Sequence, residues 1–348
     1  MKPTPTRIEP LFSPRIWGAR SLAPLFPEKS NLAEPLGEAW LTGVDCKIAT
    51  GPYAGKTLGD AWAEMPADWR GERLAAADFP LLVKFIFPTD KLSIQVHPDD
   101  AYASTHEKAA GGCGKTEMWH VVSAQPGAQV LVGLKPGVDE EKFRKGLEQK
   151  TLETLFQSVP VHAGDTLFVP AGTPHTIGPG MVLCEVQEYS DLTYRVYDYG
   201  RVDANGKPRE LHIEKALEVM KFGSHAGGKV TPLPLPAAGA ARSLLVACSF
   251  FAAERWECSE KAEITVDPSR FELVVILEGA GSFSWPDSAA RYHRGECWLV
   301  PASQGHICVQ PVAPTSLIRA YVPDVAALRT ELHREGISAA ALTQVFSD

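Results

Sequence analysis

The sequence predicts a mainly β protein made of two related β-barrels, with a small helical insert in the N-terminal half and a helix near the C-terminus. Two observations carry this expectation. Glycine (29) and proline (28) punctuate short apolar runs, among them LLVKFIF (81–87), AQVLVGL (128–134), DTLFVPA (165–171), ELVVILEG (272–279) and ECWLVPA (296–302). Short strands at regular spacing with turn signals between them are the pattern of a sandwich or barrel. The second observation is a degenerate internal repeat. Residues 163–175, AGDTLFVPAGTPH, align without a gap with 294–306, RGECWLVPASQGH, and IQVHP (94–98) aligns in the same order with ITVDP (264–268).

The interruptions of that pattern define the remaining elements. Asp139 can cap a helix with Glu140 and Glu141 in its first turn and Phe143 and Leu147 on one face, followed by TLETLF, so a helical insert is expected at about 139–156. The spacing from Glu117 to His175 exceeds that of its plausible echo, Glu272 to His306, by about the length of this insert. The stretch KVTPLPLPAAGAA (229–241) reads as a Pro/Ala linker. Asp324 can cap VAALRTELHRE before Gly336, giving the C-terminal helix. The expected domains are therefore 1–228, carrying a metal site, and 242–348, a degenerate second barrel without one.

Composition narrows the function. With 348 residues, 45% of them hydrophobic, the chain can bury large cores. A net charge of -8 with scattered Lys and Arg excludes a nucleic-acid groove or an anionic membrane as the main partner. The proline-broken N-terminus and the lack of a spanning run indicate a soluble, cytoplasmic protein. Seven cysteines without a CxxC pair read as free thiols.

The chemistry-bearing residues begin in LSIQVHP. Alternation puts Ser93, Gln95 and His97 on one side of a strand. Glu117 and His175, each at the edge of a later apolar run, complete a set of one Gln, two His and one Glu. Such N/O ligation suits Zn²⁺, or Mn²⁺, Fe²⁺ or Co²⁺, and the absence of thiolate marks a catalytic rather than a structural site. The second half acts as an internal control: Thr265 and Asp267 stand where Gln95 and His97 do, so the ligand pair is lost and His306 is read as structural. His106, His120, His162, His212, His225, His293 and His333 have no comparable partners and are taken as ordinary. GGCGKT (111–116) imitates a phosphate-binding loop, but Ala109 stands where such a loop needs its first glycine, and a β-like run follows in place of a helix. Its glycines are expected to let Lys115 and Glu117 reach one pocket.

These residues sit in motifs that carry a family. PRIWG (14–18), GEAW (37–40), LSIQVHP, GKTEMW (114–119), GDTLFVPAGTPHTIG (164–178) and EVQEYSDLTYRVYDYGR (185–201) resemble type I mannose-6-phosphate isomerases in their compact bacterial form, in order from about residue 14 to 217. The resemblance implies a cupin fold of two jelly rolls and one Zn²⁺ per chain. It further implies interconversion of mannose 6-phosphate and fructose 6-phosphate, a small sugar phosphate being the partner. It matches Gln95, His97, Glu117 and His175 to metal ligands. Lys115 and Arg195 match an active-site lysine and arginine, and Glu185 matches an acidic residue beside the reacting carbons. Ser93 and Arg201 match phosphate contacts, although Arg201 replaces a lysine of some relatives. Lys91 is a further basic candidate, equally well read as a solvated surface residue. The large helical insertion of longer relatives is absent.

An aldose–ketose isomerase moves a proton between neighbouring carbons through an enediol and needs a base, an oxyanion stabiliser and a phosphate anchor. Glu185 is the first candidate base, its pKa expected to rise toward neutrality by burial; Lys115 is the rival. A structural alternative for Glu185 is an ion pair with Arg195. The competing functions are a sugar-binding or regulatory cupin without turnover and a cupin oxygenase, against which the basic phosphate candidates speak.

Overall fold

A computed structural model describes residues 2–202, 206–223, 227–286 and 288–347; His225 lies outside them. The strands assemble into three sheets. In the N-terminal half a seven-stranded sheet runs Gly228–Lys229, Thr166–Val169, Glu117–Ala124, Met181–Glu188, Leu81–Ile86, Leu36–Trp40, Leu11–Ala19. A five-stranded sheet runs Tyr194–Tyr197, Ile94–Val96, His175–Ile177, Gln129–Leu134, Phe156–Pro160. Between them Trp119, Val121, Leu167 and Leu183 of the first meet Val130, Val132 and Ile177 of the second. The C-terminal half is a nine-stranded sheet around its own core of Trp256, Ile264, Val274, Phe283 and Trp298.

The seven-stranded sheet is buried on both faces, and its alternation says where each face goes. Leu81, Val83, Phe85, Met118, Cys184 and Val186 point away from the first barrel and pack with Leu273, Val275, Leu299 and Ile318 of the other half. Lys84, Glu117, Trp119 and Glu185 point inward, to the cavity described below. Strand 81–86 therefore reads as an unbroken apolar run with a single lysine.

Strand register supports the internal repeat. His175 lies opposite Gln95, as His306 lies opposite Thr265. Glu117 lies opposite Val169, as Glu272 lies opposite Val300. The helical insert comprises the α-helix Glu140–Glu148 and the 3-10 turn Leu152–Leu155, with Asp139 accepting the Lys142 N–H at 2.9 Å. The helix Val325–Arg334 is capped by Asp324 in the same way, at 3.0 Å to Ala327. The helices Leu58–Glu64, Asp100–His106 and Ile213–Val219 went unforeseen, being seven residues long and too short to display a period.

Two segments depart from the expected boundaries. Thr6–Ile8 pairs with Cys297–Leu299, so the N-terminal strand belongs to the other half's sheet. The stretch expected as linker carries strand residues in both sheets: Lys229 pairs with Leu167, and Leu233–Leu235 pairs with Arg242–Leu244, its two leucines buried. No helix among the described residues is long and apolar enough to cross a membrane. The seven cysteines are free thiols.

Inside the second barrel the frame is filled by charge. Arg319 donates to Glu272 at 2.6 Å and to Glu254 at 3.4 Å, and Arg242 grips Glu254 through two bonds of 2.9 Å. Burial works to raise the Glu254 carboxyl, but Arg319 and Arg242 outweigh it and hold it at about 2. Replacing Arg319 by Met leaves Glu272 and Glu254 short of counter-charge, a change expected to cost about 3–5 kcal/mol in urea unfolding. Because Glu254 titrates lower folded than unfolded, its contribution to the wild type is complete above the ordinary 4.5 and is lost as pH falls toward about 2. Equal midpoints for wild type and R319M at pH 7 would discount this cluster.

Candidate metal centre and active-site cavity

The site lies between the two sheets of the first barrel. Strand Ile94–Val96 brings Gln95 into register with His175 on one neighbour and Arg195 on the other. His97 follows directly, and Glu117 opens the strand that faces them. The nearest oxygen or nitrogen donors of His97, Glu117 and His175 all lie within 4.8 Å of one another. His175 Nε2 is 3.3 Å from Glu117 and 3.2 Å from the Gln95 amide nitrogen, and His97 Nε2 is 3.7 Å from Glu117.

The donor set fits a divalent cation. His97 Nδ1 faces the Leu192 carbonyl at 2.8 Å and His175 Nδ1 the Thr173 carbonyl at 2.9 Å. A carbonyl only accepts, so each ring carries its proton on Nδ1 and presents a bare Nε2 to the site. Both rings are buried, at 1% and 0% exposure. Burial first, then Lys115, lowers His175 to about 4 and takes His97 well below its ordinary value, keeping both imidazoles neutral. Burial raises the Glu117 carboxyl well above its ordinary value, against the opposing pull of Lys115. Gln95 completes the set when its amide oxygen, rather than its nitrogen, is turned inward.

Next to the donors is a ladder of buried charge. Lys115 Nζ contacts Glu117, His97 Nε2 at 3.0 Å and Glu185 at 3.4 Å. Lys84 lies 3.2 Å from Glu185 and 3.8 Å from Glu38. Burial would raise Glu185, but Lys84 and Lys115 prevail and hold it below the ordinary carboxylate range. This reverses the expected rise toward neutrality. The partners of Glu185 are thus two lysines, and the alternative pairing with Arg195 does not occur.

Lys115, Glu117, Glu185, Ser93, Gln95 and Arg195 all line one cavity of about 500 Å³. Arg201 does not; its guanidinium pairs with Asp198 at 2.6 Å and Asp90 at 3.3 Å. Lys91 is half-buried and pairs with Glu153 at 2.7 Å. Four basic lining residues are not marked by the sequence: Arg15, Lys84, Arg209 and His212. The motif PRIWG contained a signal for the first, since its strand breaks register between Pro14 and Ala19 and delivers Arg15 to Glu38 at 2.6 Å. His212, expected to be ordinary, accepts the Arg195 N–H on its Nδ1 at 3.3 Å, which fixes it to the cavity wall. His306, by contrast, is exposed.

The GGCGKT loop is not organised around a phosphate. Gly114 packs against the start of helix Asp100–His106, where a Cβ would come within 2.6 Å of the Asp100 nitrogen, and its N–H donates to the Asp100 side chain at 2.7 Å. That anchor precedes Lys115 and Glu117 and sets where they enter the strand.

Fold and site together define a cupin-like barrel with a candidate metal site and a charged interior cavity. The model of the type I phosphomannose isomerase catalytic domain matches residues 6–118. A putative mannose-6-phosphate isomerase of Bacillus subtilis, YvyI, is 33% identical over 306 residues, covering 87% of this chain and 94% of that protein. The mannose-6-phosphate isomerase of Streptococcus mutans is 35% identical over 303 residues, 84% and 92% of the respective chains. The crystal structure of mannose 6-phosphate isomerase from Bacillus subtilis superposes with a TM-score of 0.83 at 30% identity, covering 91% of this chain and 99% of that one. The chain belongs to the type I phosphomannose isomerase family.

Elemental analysis after dialysis is expected to find about one divalent metal per chain, His97, Glu117 and His175 being the one fully buried donor cluster among the described residues. Both H97A and E117Q should reduce it to about a tenth or less, while H306A leaves it unchanged. Retention of full occupancy by E117Q defeats the ligand assignment.

Proposed function

We propose that this protein is a divalent-metal-dependent aldose–ketose isomerase that interconverts mannose 6-phosphate and fructose 6-phosphate through an enediol. The observation that carries the reading is one cavity lined by Gln95 and Glu117 of the donor set, by the Glu185–Lys115 pair and by several arginines, with the neutral imidazoles of His97 and His175 clustered on Glu117. An oxygenase needs no such surplus of cations, whereas a sugar phosphate does.

Gln95, His97, Glu117 and His175 would hold the metal, Zn²⁺ being the first choice for N/O donors at a catalytic site. When bound, it supplies Lewis-acid polarisation of the sugar's oxygens. The protein's own groups move the proton. Glu185, kept ionised by Lys84 and Lys115, is in the form that accepts a proton from C2 of the aldose or C1 of the ketose and returns it to the neighbouring carbon. Its low basicity is the cost of those two lysines, and Lys115 offsets it by donating toward the oxygens on which negative charge develops. Arg195 lines the same cavity and adds a second fixed cation. Ser93, 3% exposed, presents its hydroxyl on the face of Gln95 and is suited to a phosphate oxygen.

A coupled assay on mannose 6-phosphate tests the whole reading: turnover should vanish with a chelator and return with Zn²⁺ or another divalent transition metal. Turnover indifferent to chelation would remove the metal from the mechanism, and metal-loaded protein without turnover would favour a sugar-binding cupin. For the base, E185Q should lower kcat by roughly 10²–10⁴ with little change in KM. Retention of kcat within about twofold would pass the role to Lys115.

A further inference from the structure

Two arginines share one buried carboxylate at the edge of the cavity. Asp198, 5% exposed, accepts Arg209 Nε at 2.8 Å and Arg209 Nη2, and it accepts Arg201 Nη2 at 2.6 Å. Only Arg209 lines the cavity. Arg201 extends instead to Asp90 and to the Lys91 carbonyl. We propose that Arg209, oriented by Asp198, grips the substrate's phosphate together with Arg195, and that Arg201 is a second counter-charge for Asp198 rather than a phosphate ligand.

This rests on the reading of the cavity as a sugar-phosphate site, and three features support it. Asp198 holds Arg209 by its Nε–Nη2 edge, which pre-orients the fork and leaves Nη1 as the donor that Asp198 does not engage. Arg195 is in the opposite situation. Its Nη1 donates only to the Glu210 carbonyl at 3.0 Å, its buried Nε has no partner, and no carboxylate among the described residues forms an ion pair with it. Burial first, then the charge of Arg209, disfavours its cationic form, so an anion between the two guanidiniums would relieve both burdens. Third, among the described residues Arg195, Arg201 and Arg209 form ion pairs only with Asp198 and the exposed Asp90, three cations to two carboxylates in a chain whose net charge is -8. Arg15, the remaining arginine of the cavity, is already matched by Glu38.

The chain segment explains the division of labour. Val202 bridges to Pro208, so the chain doubles back and returns Arg209 to the same Asp198 that Arg201 has just met. His212 then closes onto strand Tyr194–Tyr197, its N–H donating to the Arg195 carbonyl at 2.7 Å. Asp198 is a positioning residue, acting through Arg209.

The test uses metal-loaded protein and calorimetric titration with a hexitol 6-phosphate, which lacks the reacting carbonyl, and with inorganic phosphate. R209M and D198N should each weaken hexitol phosphate binding roughly tenfold to a hundredfold, the loss of a charge-assisted contact. R209K should recover part of the R209M loss, and R201M should change affinity less than about threefold, a surface-sized effect. In turnover, R209M and D198N should raise KM for mannose 6-phosphate more than they lower kcat. Wild-type affinity in folded R209M with lost affinity in R201M overturns the assignment, as does an unchanged KM in D198N. Wild-type protein that binds the hexitol phosphate in an Arg209-dependent manner but isomerises nothing would remove the isomerase reading and leave Arg209 in place. Protein that binds neither probe overturns the Arg209 proposal itself.

Discussion

The interior of the first barrel depends on a line of alternating charges that crosses adjacent strands: Glu38, Lys84, Glu185, then Lys115 and Glu117. Each member is 7% exposed or less. Buried charge is costly unless every member finds an opposite partner, and here each does, with contacts between 3.2 and 3.8 Å linking Glu38 to Lys84 and Lys84 to Glu185. The line fixes which carboxyl is ionised, which lysine faces the donor set, and where the cavity's polar wall lies. Removing one member changes the state of the next, so the site titrates as a unit rather than as separate residues.

The second barrel uses the same positions with the signs reversed. Lys84 pairs across the sheet with Glu185, and Glu254 pairs in the same way with Arg319. One strand further, Glu38 lies opposite Ile86 and Arg242 opposite Trp256. The sequence Glu, Lys, Glu of one barrel thus becomes Arg, Glu, Arg in the other. The consequence falls on Glu272, the counterpart of Glu117. It receives its positive charge from Arg319, which stands at the Glu185 position and binds it through Nε and Nη2. With a guanidinium built into the frame, and Thr265 and Asp267 in place of the ligand pair, the second barrel fills its own centre with protein.

What was legible in the sequence was local. The period of LSIQVHP, the repeat around GDTLFVPA and the caps Asp139 and Asp324 are properties of neighbouring residues, and strand or helix geometry converts them directly into position. Lys84 was illegible because it sits in an apolar run, where nothing nearby distinguishes a surface lysine from one facing a carboxylate on the adjacent strand. The ionisation of Glu185 failed for the same reason, since its direction is set by Lys84 and not by its own surroundings in sequence. Arg201 and Arg209 look alike in sequence; only the fold shows that one lines the cavity and the other does not.

The halves are coupled through the alternation of the strands that carry the site. Lys84 lies between Val83 and Phe85, and Glu185 between Cys184 and Val186; these flanking side chains all belong to the core shared with the second half. Met118 does the same beside Glu117. A strand residue cannot shift inward without moving its neighbours outward, so packing against the second barrel sets the depth at which the buried charges are held. Close-packed cores resist such displacement strongly. The second barrel, with its own frame closed by Arg319, therefore acts as a rigid back plate for the charged face of the first, which is a physical reason for keeping a barrel that has lost the ligand pair.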